Sequence, residues 1–509
     1  MRKHPLILAA LAGAATVPGF APFEWYVLPV LTLAILIGLW QTAANPRAAA
    51  LTGFVFGLAF FICGVSWVYV SMHDFGAMPA WLAIALTLLL CAYLALFPAA
   101  TGWVCRALDC RSNLVALLAV PAVWMLTEWL RGWLFTGFPW LAIGYSQLPA
   151  SPLAGYIPVV GVYGASLLTL ASAALLLVGA KPALASADQR PLPVLLSLLD
   201  KPWLLLLVAI WAGGLALKNV AWTAPIGEPL SVALVQGNIG QDLKWRDDRV
   251  QSTLSAYRGF VVASDARLTV LPETALPLFL HNVPREYLEG LAAHMSKSNG
   301  DILIGVPERS DARTYFNSVL SIGSAPAQFY RKSHLVPFGE FVPMKFLFGW
   351  FLDVAQIPLA DFARGDESQQ PLAVAGQQVA VNICYEDAFG AEIARQLPQA
   401  TLLVNVSNVA WFGRSIAPQQ HLQISQARAL ETGRPMLRAT NTGMTAIIDP
   451  QGRVQSVAPE FTATVVRGVV RGYAGVTPYV RWTDWPAIIV ALLLVAGVWL
   501  GRFLRRSDK

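Results

Sequence analysis

The chain has 509 residues, 56% of them apolar and 13% charged, with 18 tryptophans. Soluble globular proteins carry roughly a quarter charged residues, so a disordered chain and an ordinary water-soluble one are both excluded. The net charge of +6 resides in short loops between apolar runs, and no clustered basic face of the kind nucleic acid requires is visible.

A helix crossing the hydrocarbon core needs about 20 apolar residues. In chain order, candidate spans fall near 6–20, 25–40, 52–71, 79–104, 113–130, 153–179, 202–221 and 485–501. The first two are short, separated only by Ala21, Pro22, Phe23 and Glu24, and form either two crossings or a re-entrant hairpin. No small-residue cleavage site follows the first run near Phe20, so it reads as an uncleaved span. Pro191–Leu199 is too short to span and reads as a loop or interfacial segment. The chain is thus expected to have three parts: 1–222 with the first seven spans, 223–484 as an external domain, and 485–509 as the eighth span and a tail.

Lys and Arg concentrate in cytoplasmic loops. With the N-terminus inside, the inner loops hold Arg2, Lys3, Arg47, Arg106, Arg111, Lys181 and six further cations, and the opposing short loops hold only Arg131. Both termini are therefore expected in the cytoplasm and the 223–484 domain outside.

That domain alternates short apolar runs with segments of helical spacing. Strands are expected at Ser231–Asn238, Leu268–Glu273, Asp301–Pro307, Phe316–Ile322, Val379–Tyr385 and Thr401–Val406. Helices are expected at 246–264, 284–298, 388–397 and 418–432, and a hairpin turn at Pro450-Gln-Gly452. Such alternation predicts an α/β domain with helix-covered sheets.

Three strand ends carry polar residues that packing does not require. Leu271-Pro-Glu-Thr-Ala places Glu273, Tyr330-Arg-Lys-Ser-His-Leu-Val-Pro-Phe-Gly-Glu340 places Lys332, and Asn382-Ile-Cys-Tyr-Glu-Asp387 places Cys384. Ligands gather at the carboxyl ends of strands in such folds. Of five cysteines only Cys384 lies in the external domain, which excludes an internal disulfide there. A carboxylate able to take the thiol proton, an ammonium able to favour the thiolate and an oxyanion, and the backbone N–H of Tyr385 describe acyl transfer through a thioester. Singly, each residue also suits an ordinary capping, surface or core role.

The order Glu, Lys, Cys in the contexts PETA, RKSHLVPFGE and ICYED resembles the nitrilase (carbon-nitrogen hydrolase) superfamily, whose fold is an αββα sandwich. Seven spans before that domain and one after it resemble, within the superfamily, the bacterial apolipoprotein N-acyltransferases. The resemblance implies a polytopic helical membrane part of about eight spans joined to a nitrilase-like catalytic domain. It implies Glu273 as general base, Lys332 as oxyanion stabiliser and Cys384 as the acyl-carrying nucleophile. Glu340 and Glu386 match the family's additional essential acids, for which the alternative is a structural ion pair with an arginine such as Arg438. Trp245, Trp411, Tyr385 and Pro343 match residues that line its site.

The resemblance further implies a phospholipid as acyl donor and the N-terminal amine of a diacylglyceryl apolipoprotein as acceptor, at the periplasmic side of the inner membrane. A thioester passes to an amide downhill, so no cofactor or metal is implied. Phe341–Ala360, apolar but interrupted by Lys345 and Asp353, is expected either to touch the bilayer or to be a buried helix. Two other classes use the same features differently. A membrane-tethered amidase would direct the trio at water, and a transporter would need ionisable residues inside its spans, where Glu128 is the main one.

Overall fold

Inside a bilayer the backbone must satisfy its own hydrogen bonds, so long apolar runs become helices. The computed structural model describes residues 4–185, 202–311, 314–343, 346 and 361–507. Among these, five helices are long and apolar enough to cross a membrane: Pro46–Val65, Ala80–Ala107, Asn113–Arg131, Pro152–Ala180 and Trp485–Leu504. Shorter apolar helices occupy Pro5–Gly19, Val27–Thr42 and Pro202–Leu217. The expected spans are all met by helices, with shifted ends. The third begins at Pro46 because Asn45 caps it, its Oδ1 accepting the N–H of Ala48 at 2.9 Å. Pro191–Leu199 lies outside the described residues, as does most of Phe341–Ala360.

The chain divides into two compact units: Met1–Ser66 with Ile84–Val220 and Trp482–Lys509, and Trp67–Ala83 with Ala221–Arg481. In the first, small residues let helices close up; a Cβ on Gly53 would lie 2.3 Å from the carbonyl oxygen of Pro98. Its buried charges serve architecture. Glu128 accepts the N–H of Ile143 at 2.9 Å, and Arg131 donates to the carbonyls of Phe138 and Trp140 at 2.6 and 2.7 Å. Together they hold the Phe138–Ile143 loop.

The second unit holds two six-stranded sheets. The first is built from β1 (Thr223–Gln236), β2 (Leu268–Val270), β3 (Asp301–Arg309), β4 (Tyr315–Gly323), β5 (Gln328–Arg331) and β12 (Thr464–Gly475), in the order β12-β1-β2-β3-β4-β5. The second is built from β6 (Leu372–Val374), β7 (Gln377–Ile383), β8 (Leu402–Ser407), β9 (Met436–Thr440), β10 (Ala446–Ile448) and β11 (Val454–Val457), in the order β11-β10-β9-β8-β7-β6. Parallel pairing joins β1, β2 and β3 in one and β7, β8 and β9 in the other.

Side chains alternate across a strand, and here both faces are apolar. On β1, Val232 and Leu234 point into a core shared with Val379, Val381, Leu402 and Val404 of the opposite sheet. Val235 faces the other way, into a cluster with Leu254, Tyr257 and Leu291, which lie on the helices Asp247–Val262 and Arg285–Lys297. Ala380 and Leu403 likewise meet Leu422 and Ala429 on the helix Ala417–Thr432. Helix, sheet, sheet and helix stack as the αββα sandwich. The hairpin expected at Pro450–Gly452 joins antiparallel β10 and β11, with Gly452 at φ +73°. The expected helix at 388–397 is only a short turn of helix, Gly390–Ile393, flanked by 3-10 turns.

Candidate active site

Each of the three singled-out residues follows the end of a strand: β2 and β7 in the parallel cores, and β5 at the antiparallel edge of the first sheet. Glu273 comes shortly after β2, Lys332 directly after β5 and Cys384 directly after β7. All three feel one another's charge.

Glu273 is held by both carboxylate oxygens. Oε1 accepts Asn317 Nδ2 at 2.7 Å, Oε2 accepts the backbone N–H of Asn408 at 2.8 Å, and Lys332 Nζ stands 3.6 Å from Oε1. Lys332, 1% exposed, also contacts Glu340 at 2.8 and 2.9 Å through its two oxygens. Asn317 Nδ2 donates to Glu340 Oε1 as well, at 3.0 Å, so one amide spans both carboxylates. Burial alone would push the Lys332 ammonium down; Glu340 and Glu273 outweigh it and hold the ammonium above its ordinary range.

Cys384 adopts φ +54°, a left-handed conformation costly for a residue with a Cβ. Its carbonyl is tied from two sides, accepting Asn405 Nδ2 and His421 Nε2, each at 3.2 Å. Arg438 Nη1 braces that support, donating to Asn405 Oδ1 at 2.7 Å and Asp387 Oδ2 at 3.2 Å. Although the residue keeps a partly open surface, burial of the thiol, reinforced by Glu273 and opposed by Lys332, pushes it up to about 12. The resting sulfur is therefore a thiol. Nucleophilic attack needs its proton removed at the moment of reaction, and the adjacent carboxylate can accept it.

Glu386 is buried and accepts five donors. Oε2 takes the N–H of Ile383 at 2.7 Å and Tyr330 Oη at 3.0 Å. Oε1 takes Ser333 N at 2.7 Å, Ser333 Oγ at 3.0 Å and His334 N at 3.0 Å. The carboxylate thus fastens the end of β7, with Cys384, to the segment after β5, with Lys332. Among the described contacts Arg438 pairs with Asp387 and not with Glu386. Tyr385 is buried, its ring edge-on to Phe389 at 5.2 Å. Trp245, Trp411 and Pro343 are half-buried. Trp411 belongs to a loop seated on the Trp67–Ala83 segment: its carbonyl accepts Ser71 Oγ at 2.8 Å, Phe75 meets its ring edge-on at 6.5 Å, and Trp67 packs on Phe412 at 4.7 Å.

Asn317, Asn405, Asn408, His421 and Lys244 escaped the sequence reading. Two of them had a signal. Asn317 interrupts the apolar run Tyr315–Ile322, and Asn382 and Asn405 occupy matching places in Val-Asn-Ile and Val-Asn-Val; pairing sets Asn382, Asn405 and Arg438 side by side across β7, β8 and β9.

A sheet sandwich with a glutamate, lysine and cysteine at its strand ends defines a carbon-nitrogen hydrolase domain, and residues 231–479 match the carbon-nitrogen hydrolase family model. Residues 12–175 match the model of the apolipoprotein N-acyltransferase N-terminal domain. The chain is 53% identical to an apolipoprotein N-acyltransferase of Nitrosomonas europaea, over 97% of this chain and 96% of the relative. It is 46% identical to one from Chromobacterium violaceum, over 96% and 93%. The chain belongs to the apolipoprotein N-acyltransferase family, and is an acyltransferase. Among solved structures it is similar to the C. elegans NitFhit protein, at 18% identity over 50% of this chain and 62% of that one, with a TM-score of 0.38. A carbon-nitrogen hydrolase from Helicobacter pylori is similar at 15% identity over 51% and 94%, with a TM-score of 0.36.

Proposed function

We propose that the enzyme carries a fatty acyl chain from a membrane phospholipid to the N-terminal α-amine of a diacylglyceryl-cysteine apolipoprotein, through a thioester on Cys384. Glu273 takes the thiol proton as sulfur attacks the acyl ester. The carbonyl oxygen gains the negative charge, which Lys332 and the N–H of Tyr385 stabilise. Collapse of the tetrahedral intermediate breaks the ester C–O bond, and the proton on Glu273 passes to the departing lysophospholipid. The acceptor amine then attacks the thioester, yields its proton to Glu273 and becomes an amide as the C–S bond breaks; the proton returns to sulfur. Kinetics of this kind are ping-pong.

Glu340 shares the Lys332 charge with Glu273, and Glu386 keeps the lysine and cysteine segments in register. Trp245, Trp411 and Pro343 serve as walls that keep water from the thioester. The catalytic domain works on the periplasmic face of the inner membrane with both termini in the cytoplasm, a reading supported by the Lys and Arg distribution. Both substrates keep their chains in the bilayer, since drawing each buried methylene into water would cost about 0.8 kcal/mol.

The observation that supports this reading is the buried convergence of Glu273 and Lys332 on a thiol that is protonated at rest, which calls for a base beside it. Intact-protein mass spectrometry after incubation with phospholipid is expected to find one acyl adduct, on Cys384. N-acylation retained by Cys384→Ala would defeat the proposal, and ammonia release from small amides without any acyl adduct would favour an amidase.

A further inference from the structure

Two lysines feel the charges of both Glu273 and Cys384. One is Lys332. The other, Lys244, lies in the loop after β1 and is 3% exposed. Its ammonium donates to the carbonyl oxygen of Glu273 at 3.2 Å and to the hydroxyl of Thr274. Burial pushes Lys244 down to about 8, with Glu273 and Cys384 opposing the fall.

The peptide that Lys244 grips is unusual. Thr274 has φ +44°, a conformation strongly disfavoured for a β-branched residue, so the turn that presents Glu273 needs outside support. Asn317 and Asn408 fix the carboxylate oxygens, as described above. Among the described contacts, the side-chain donor to the Glu273 carbonyl is Lys244. The two sets of contacts constrain opposite ends of one residue.

We propose that Lys244 is a positioning residue for Glu273: by clamping the Glu273–Thr274 turn through the carbonyl and the hydroxyl, it holds the carboxylate where it can accept the Cys384 proton. This rests on Glu273 being the base. It adds a second lysine to the site, with a task unlike that of Lys332, which faces the carboxylates themselves.

The test uses the full-length protein in lipid nanodiscs and reads the thiol directly, without acyl transfer. Iodoacetamide alkylation of Cys384 is followed by peptide mass spectrometry, with thermal unfolding recorded in parallel. Lys244→Met and Lys244→Gln both remove the charge, but only Gln can still donate to the Glu273 carbonyl. Alkylation is expected to slow at least about tenfold in the Met variant, a fraction of a general base's usual contribution, and to stay within about threefold of wild type in the Gln variant. Thr274→Val, which removes half of the clamp and leaves the lysine, is expected to slow it several-fold. A Met variant alkylated at the wild-type rate, a Gln variant as slow as Met, or a Thr274→Val variant like wild type overturns the proposal. Failure of the thioester reading would show elsewhere, as transfer surviving in Cys384→Ala.

Discussion

Replacing Glu273 by Gln preserves the shape of the side chain and removes its capacity to accept a proton. A general base contributes about 10²- to 10⁴-fold, so acyl-enzyme formation should fall by that factor, or about 2.7–5.4 kcal/mol of barrier. The fold should tolerate the change. Lys332 keeps Glu340 at 2.8 Å, and Gln can still accept from one of the two donors, Asn317 Nδ2 or the Asn408 N–H. The other then faces an amide N–H, an orphaned hydrogen bond of about 1–3 kcal/mol. The thiol gives a second readout in the same direction. With its proton held on by burial, up to about 12, Cys384 needs Glu273 to accept that proton before iodoacetamide can alkylate it at neutral pH, so alkylation should slow together with acylation. Acyl adducts are measured by intact mass after quenching at fixed times, and alkylation as a rate at neutral pH. Acylation within tenfold of wild type, or alkylation at the wild-type rate, would refute the reasoning.

Lys332→Met should abolish acylation and destabilise the domain by about 3–5 kcal/mol, because Glu273 and Glu340 are left buried without their cation; adding Glu340→Gln should recover much of the unfolding temperature but none of the activity. Glu386→Gln leaves at least two of five buried donors facing an amide N–H, at about 1–3 kcal/mol each, and both the unfolding temperature and the acylation rate should drop; an unchanged rate would mean that the β5 and β7 ends hold their register without it. His421 is buried and held well below its ordinary range by burial and by Arg438. The unfolded chain therefore takes up a proton below about pH 6.5 that the folded one refuses, and stability falls with pH by up to about 1.4 kcal/mol per unit. Unfolding temperatures at pH 5.5 and 7.5 should differ less in His421→Gln than in wild type, and an equal difference would contradict the assignment.

The spans, the strands β1 to β4, β7 and β8, and the three residues at the ends of β2, β5 and β7 were legible because each leaves a local mark. Apolar length marks a span, a β-branched run a buried strand, and a charged or thiol residue straight after such a run the end of that strand. The strands β9 and β12 left weaker marks: Met436–Thr440 carries a buried arginine at its centre, and Thr464–Gly475 contains three glycines and two arginines. They are strands because tertiary pairing overrides composition. Asn408 is invisible to sequence reasoning for another reason, since its contribution is a main-chain N–H that any residue but proline possesses. Lys244 stands in a polar loop with nothing in the sequence to set it apart from a surface lysine, and only folding reveals that its partners are Glu273 and Thr274.

The seat of Trp411 has a consequence for how the catalytic body comes into being. Ser71 and Trp411 are 340 positions apart, and Trp67 and Gln420, bonded at 3.3 Å, are 353 apart. The Trp67–Ala83 segment is thus made well before the Trp411 loop and meets it only after some 340 further residues have been added. No continuous fragment beginning after Leu217 contains every part of the sandwich's own unit, so excision at residue 223 would leave the Trp411 loop without the segment it sits on.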